Sequence, residues 1–245
     1  MREAAQLSLH TTIYSSHAML ERRRRVLMET RKLLEERGYD KFSTRELCAR
    51  SNIAIRTFYH VFGSKDHVVA QSIYSVVCEN GIKEDRAGDP NTFEGVLTRV
   101  VLSANGSIGM RAYAAAVMSV YGAVPGFPEI RAALRDACYT FVKPYVDHLG
   151  EMGALRPEVS VDQLVRTIKT IFFAQISDWC VGEIDDDQLI DGYAENLMSL
   201  IATAATGYVQ LEAEHWLQAV RTRSDQWLQL RASAEAAQVL ETSAA

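Results

Sequence analysis

The chain has 245 residues, 48% of them hydrophobic and 23% charged. This is ordinary globular composition, with enough apolar material for a core that needs no staples. One of the two longest uncharged stretches, between Arg111 and Glu129, contains Gly122, Pro125 and Pro128. It falls short of the roughly 20 apolar residues that a membrane span needs and reads as a buried helix followed by a turn.

No apolar stretch of secretory type follows Met1, so a cytoplasmic setting is expected. The four cysteines (Cys48, Cys78, Cys138 and Cys180) form no CxxC pair and have no histidine at ligand spacing. They read as free thiols, and neither a metal nor a cofactor is expected. The net charge of −5 argues against a nucleic-acid partner, but its distribution reverses that. Residues 20–75 hold 12 Lys/Arg against 7 Asp/Glu, a net of +5, and residues 76–245 hold 13 against 23, a net of −10. A basic block attracts phosphates, while an acidic body is repelled by them.

Residues 1–18 show no period and read as an arm. The first helix is predicted from about Met19 to Arg37, with Val26, Thr30, Leu33 and Leu34 on one face and Gly38 as its C-cap. Ser43 and Glu46 have capping-box spacing. They open a second helix to about Arg50, with Leu47 and Ala49 as inward candidates. Ser51-Asn52 supplies the turn, since Asn tolerates the left-handed conformation. A short helix is expected at about Ala54 to Phe62. Gly63-Ser64 ends it, and Ser64 caps a longer helix to about Asn80.

Residues 81–90 (GIKEDRAGDP) form a turn-rich linker, the clearest break in the chain. After it only helices are predicted. Asn91 with Glu94 caps one to about Ala104. Others fall at 107–123, 128–152, 160–183 and 186–206, with Pro144 kinking the second of these four. Residues 208–240 lack Gly and Pro and read as one final helix. A 3.5-residue spacing there picks out Val209, Ala213, Trp216, Val220, Arg223, Trp227, Leu230, Ala234 and Ala237, with only Arg223 breaking the seam. Such a stripe serves either a coiled-coil-like contact or packing on its own domain. The expected fold is all-α: a helix-turn-helix domain at 19–80, a helical body at 81–206 and an extension at 207–245.

Three short helices with a tight turn between the second and third satisfy the helix-turn-helix outline. The residues sharpen it. Ser43-Thr44, Leu47 and Ala49 are followed by Ile53, Thr57, Phe58, Tyr59, Phe62, Lys65 and Asp66, with Tyr59-x-x-Phe62-x-x-Lys65 the most telling spacing. Over about residues 22–75 the chain resembles the TetR family of transcriptional regulators. Two positions depart from the family pattern: Asn52 stands where Gly is usual, and Ala54 where Ser or Thr caps the recognition helix. Ala cannot cap, which removes about 1 kcal/mol of local helix stability.

Phe58 and Phe62, four apart, are expected to pack inward on Leu47 and on Leu33 or Leu34. Ile55, Arg56, Thr57, Tyr59 and His60 are then left to face the groove. Arg56 can bond guanine O6/N7 bidentately, Thr57 and Ile55 can touch a thymine methyl, and His60 can reach a base edge or a phosphate. The resemblance gives Tyr59 a phosphate contact. Lys65, at the start of the next helix, is expected to add another. Thr44 and Arg45 open the second helix and are expected to clamp the backbone. At least one phosphate contact is expected from Arg22–Arg25.

In the resembled family the C-terminal helices bind an effector and pair two subunits. The pairing helices correspond here to about 160–183 and 186–206, including Trp179-x-x-Gly182. The resemblance thus implies a homodimer on a near-palindromic operator, its two reading helices ~34–36 Å apart. An effector cavity is expected between the linker and the dimer helices. Candidate lining residues are Phe93, Met110, Tyr113, Met118 and Tyr121, with Phe141, Tyr145, Phe172 and Phe173 from later helices. Their apolar character points to a hydrophobic or acyl-bearing molecule. The expected function is that of a repressor released by such an effector, which would shift the 64–80 helix. The alternative is the same DNA-binding dimer controlled by a protein partner docking on 208–240. No nucleophile elbow, Walker loop, zincin motif or dinucleotide fingerprint is present, so no enzyme is expected.

Overall fold

The computed structural model describes residues 17–84, 88–122 and 127–242, with side chains for 19–76, 88–122 and 127–236. The arm at 1–16, residues 85–87 of the linker, the turn at Pro125, and the side chains of Cys78 and Ala237 lie outside the described residues. Within them the fold is all-α, with one isolated antiparallel bridge between Leu155 and Ala205.

The first four helices are α1 (His17–Arg37), α2 (Thr44–Ser51), α3 (Ile55–Phe62) and α4 (Lys65–Glu84). Each boundary has a local cause. Gly38 takes φ 73° after α1, a conformation that side chains resist. The Ser43 hydroxyl accepts the Glu46 N–H at 3.2 Å. The reciprocal half of the expected capping box is replaced by an ion pair from Glu46 to Arg37 at 2.9 Å. Asn52 sits left-handed at φ 51°, ψ 53°. Ala54 precedes α3 with no side-chain cap. Ser64 accepts the His67 N–H, and α4 runs on past the expected end near Asn80 to Glu84.

The body comprises α5 (Phe93–Ile108), α6 (Arg111–Tyr121), α7 (Pro128–Glu151), α8 (Val161–Val181), α9 (Asp186–Ala204), α10 (Gly207–Arg221) and α11 (Asp225–Thr242). Two starts differ from expectation. Thr92, not Asn91, caps α5 by accepting the Gly95 N–H at 3.0 Å. Residues 107–108 finish α5 rather than opening α6, because the chain turns at Gly109-Met110. Pro144 lies inside α7, which continues through it.

The expected single helix over 208–240 is two helices. Arg223 takes φ 47° between them, and its guanidinium reaches Asp187 at 3.1 Å and Asp191 at 3.6 Å. The apolar stripe packs on its own domain: Val209, Ala213, Trp216, Val220, Trp227 and Ala234 are all buried, with α10 against α9 and α11 against α5. Arg231, only 8% exposed, closes this arrangement. It donates to Asp191 at 2.9 Å and Asp187 at 2.8 Å, and Trp227 Nε1 donates to Asp191 at 2.9 Å.

The apolar interior forms two clusters that do not part at the 81–90 linker. The first joins α1–α4 to Tyr113, Val117 and Val120 of α6 and to Ile130, Ala133 and Leu134 of α7. The second joins α5 and the later part of α7, from Cys138 onward, to α8–α11. The single helix α7 thus belongs to both cores, changing allegiance between Leu134 and Cys138.

Candidate nucleic-acid interface and ligand cavity

An eight-residue helix with two aromatic residues four apart has one buried stripe and one open face. In α3 the stripe is Phe58 and Phe62, both in the first core with Leu33, Leu34 and Leu47. The open face carries Ile55, Arg56, Thr57, Tyr59 and His60, all exposed. In α2, Arg45 is exposed and Thr44 half-buried, and the Thr44 hydroxyl stands 3.5 Å from the Tyr59 hydroxyl. The expected reading residues therefore share one surface. Ala49, expected inward, is exposed; Cys48 and Ser51 are buried in its place.

Several basic residues of the N-terminal block are committed elsewhere. Arg50 forks onto Glu36 at 2.6 and 2.7 Å and reaches Glu29 at 3.1 Å, binding α2 to α1. The hydrogen bond from Arg50 holds the Glu36 carboxyl below its ordinary value. Arg22–Arg25 are exposed, and Arg23 donates to Gln71 of α4.

Lys65 departs most from expectation. Its ammonium donates to the carbonyls of Tyr39 and Phe42 at 2.5 and 2.8 Å and lies 4.2 Å from the centroid of each ring. Burial pushes the ammonium down from its ordinary value. The neighbouring Asp66 accepts the Tyr39 hydroxyl, and burial, with that bond, raises the Tyr39 phenol. The Lys65-Asp66 pair pins the loop between α1 and α2, and the half-buried lysine spends two of its donors on that loop.

Beyond the exposed face of α3, the first core meets the body through polar and aromatic contacts. Tyr39 packs on Phe127 with centroids 4.7 Å apart. His67 Nδ1 lies 3.3 Å from the Glu129 carboxylate. The Tyr74 hydroxyl donates to Asp136 at 2.7 Å. The Ser72 and Tyr113 hydroxyls meet at 3.2 Å in the interior, linking α4 to α6.

A cavity of about 150 Å³ lies where the two cores abut. Its wall includes Ile73, Val76, Tyr113, Val117 and Leu134 from the first core and Cys138, Phe141, Phe172 and Tyr193 from the second. Of the expected lining residues, Met110, Tyr113, Met118, Phe141, Phe172 and Phe173 line it. Phe93, Tyr121 and Tyr145 do not: Phe93 packs edge-on against Tyr145 in the second core, and Tyr121 packs on the outside of Phe173 at 4.6 Å. Sequence reasoning missed Ile73 and Val76 of α4, Tyr193 of α9 and the hydroxyls of Ser103, Ser107 and Thr140. The spacing of Ile73 and Val76 on one face of α4 was the available signal. Burial pushes the Cys138 thiol up to about 12, so it is protonated and unreactive near neutral pH.

The fold is a small helix-turn-helix head joined to a larger helical body. Residues 26–71 match the family described as bacterial regulatory proteins, tetR family. The same overall fold occurs in Thermus thermophilus FadR, a TetR-family transcriptional repressor in complex with lauroyl-CoA. The two are 18% identical, with a TM-score of 0.57, covering 72% of this chain and 93% of that one. A TetR-family protein from Syntrophomonas wolfei is also 18% identical, with a TM-score of 0.62, covering 74% and 94%. RolR in complex with resorcinol is 19% identical, with a TM-score of 0.58, covering 80% and 93%. No curated protein matches the chain. The helix-turn-helix head thus matches the tetR family model, and the chain shares its overall fold with these structures.

Proposed function

We propose that the protein is a homodimeric repressor that reads a near-palindromic operator with α3 and is released by a small molecule bound between its two cores. The observation that carries the DNA reading is the outward face of α3, where Arg56, Thr57, Tyr59 and His60 are exposed together. Phe58 and Phe62 fix that face by packing into the core beneath it. Arg56 takes the role of base reader, and Thr57 and Ile55 contact thymine methyls. Tyr59 and His60, with Thr44 and Arg45 at the start of α2, hold the backbone.

Pairing of two copies is assigned to α8 and α9. The outer side of α8 leaves Gln163, Arg166, Thr167, Thr170 and Ala174 exposed, and α9 approaches α8 closely at Gly192. A Cβ there would lie 2.2 Å from Gln175 Nε2.

Release follows from the cavity's position. Ile73 and Val76 of α4 form part of its wall, and α4 begins immediately after the reading helix. A ligand that prefers a different spacing of the two cores must move α4, and with it the reading heads. Switching fully between states requires ~5.5 kcal/mol of differential affinity. The reading in which a protein partner docks on 208–240 loses support, because the apolar stripe there is buried in the second core.

Selection of bound sequences from random duplex DNA tests this function. The expected result is a two-fold symmetric site with half-sites about one helical turn apart. With Arg56→Ala, preference should relax at one position in each half-site, at a cost of ~1–3 kcal/mol. An unsymmetrical site, or an unchanged preference in the variant, would overturn the corresponding part.

A further inference from the structure

Four features of the cavity restrict what it can hold. The first is size. At about 150 Å³ it matches the ~150 Å³ apolar cavities that accept a benzene ring, and a long acyl chain exceeds the space within it. The second is charge: none of the residues lining it is charged, and an ion moved there would leave water without a partner. The third is shape. Phe141, Phe172 and Tyr193 form a ladder of near-parallel rings, each step at 11°, with centroids 6.0 and 4.2 Å apart. The Tyr193 hydroxyl donates to the Phe172 carbonyl at 3.3 Å, which holds the ladder in register. A ring bound against it gains offset or edge-on contacts.

The fourth is hydrogen-bond polarity. Ser107 donates its proton to the Ser103 carbonyl at 3.2 Å, and Thr140 donates to the Ala137 carbonyl at 2.7 Å. Both residues line the cavity, and each hydroxyl retains the capacity to accept; Ser103, the third hydroxyl residue of the wall, can accept as well as donate.

We infer that the cavity takes a compact, uncharged aromatic ring carrying a hydrogen-bond donor, of which a simple phenol is the smallest example. The inference rests on the reading that this cavity is the effector site, and it narrows the hydrophobic or acyl-bearing class expected from aromatic content. An acyl-CoA joins a long chain to the charged phosphates of its CoA moiety, and the cavity's uncharged wall and small volume match neither.

Calorimetric titration of the full chain with 4-methylphenol, toluene, 4-methylbenzoate and dodecanoyl-CoA tests it. The phenol should bind at least tenfold more tightly than toluene, and the two anions should give no measurable heat. Ala114→Phe, which fills the cavity from α6, should abolish phenol binding. Independently of that variant's folding, nuclear Overhauser contacts in the wild-type chain should join the phenol's ring protons to the methyls of Val117 and Ile176. Equal affinity for toluene, tighter binding of either anion, no heat with the phenol, or bound phenol without those contacts would overturn the inference.

Operator affinity measured in parallel separates this from the wider reading. Phenol bound in the cavity with operator affinity unchanged would leave the ligand class standing and reject the effector role. Dodecanoyl-CoA bound with the operator released would reject the class and keep the role.

Discussion

The two cores of this molecule are held together in opposite ways. The first is tied at its rim by polar links between its own short elements: Lys65 to the carbonyls of Tyr39 and Phe42, and Arg50 to Glu29 and Glu36. These leave one side of α3 open. The second is closed by a long-range ionic clasp, in which Arg231 reaches back to Asp187 and Asp191 at the start of α9. It buries Trp179 and Trp227 completely. The exposed face of the first core is built on eight-residue helices stiffened from behind, whereas the second core is built on long helices clasped from outside.

The largest expected effect tests whether these are two cores or one. Phe58→Ala should cost ~3–5 kcal/mol, as should Trp227→Ala, since each empties a fully buried site. If the shared helix α7 couples the cores, calorimetry should show one transition lowered in both variants. Two transitions, each sensitive to one substitution, would separate them.

Next is the clasp. Arg231→Met should cost about 3 kcal/mol, the low end for breaking a buried pair, because Asp187 stands half exposed. Hydrogen bonds from Arg231 and Arg223 hold the Asp187 carboxyl below the ordinary carboxylate range. Its contribution is therefore complete above the unfolded-state value of about 4 and is lost as pH falls through the lower folded-state value. Denaturant midpoints of the wild type and variant should converge on acidification; a constant gap would remove the carboxylate from the account.

Lys65→Met should cost ~2 kcal/mol of stability, the scale for charge-assisted hydrogen bonds, and leave the salt slope of operator binding unchanged. Tyr59→Phe should do the reverse, weakening operator binding while leaving thermal stability unaltered. A shallower salt slope for Lys65→Met would return the lysine to the phosphates. The smallest effect is expected at the seam. Tyr113→Phe removes the contact with Ser72 at ~1 kcal/mol and should change the ligand concentration that releases DNA more than the DNA affinity itself.

Much of the head was legible because its signals are local. Gly38, Ser43, Asn52 and Ser64 each act within four residues, and the Phe58–Phe62 spacing fixes which side of α3 is buried. Lys65 shows the limit. Its position in the motif was visible, but its partners are backbone carbonyls 23 and 26 residues away, and carbonyl direction leaves no mark on a sequence. The break at Arg223 was hidden for another reason. Thr222-Arg223-Ser224 contains neither Gly nor Pro, and Trp227 resumes the stripe in phase with Val220. The cavity was half legible: aromatic content marked Phe141 and Phe172, but it could not separate them from Tyr145, which fills core. It also passed over Ile73 and Val76, whose importance lies in which helix carries them.

The shared helix has a mechanical consequence. With 24 residues and a rise of ~1.5 Å per residue, α7 extends ~15 Å from Cys138 back to Pro128, so a tilt of ~5° about the cavity sweeps its leading end through ~1.3 Å. That end carries Glu129 against His67 and follows Phe127, whose ring rests on Tyr39. Tyr39 in turn lies beneath the Lys65 ammonium. A change too slight to reorganise either core would thus reach the base of the helix-turn-helix head as a displacement of atomic size, with α7 acting as the arm and the cavity as its fulcrum.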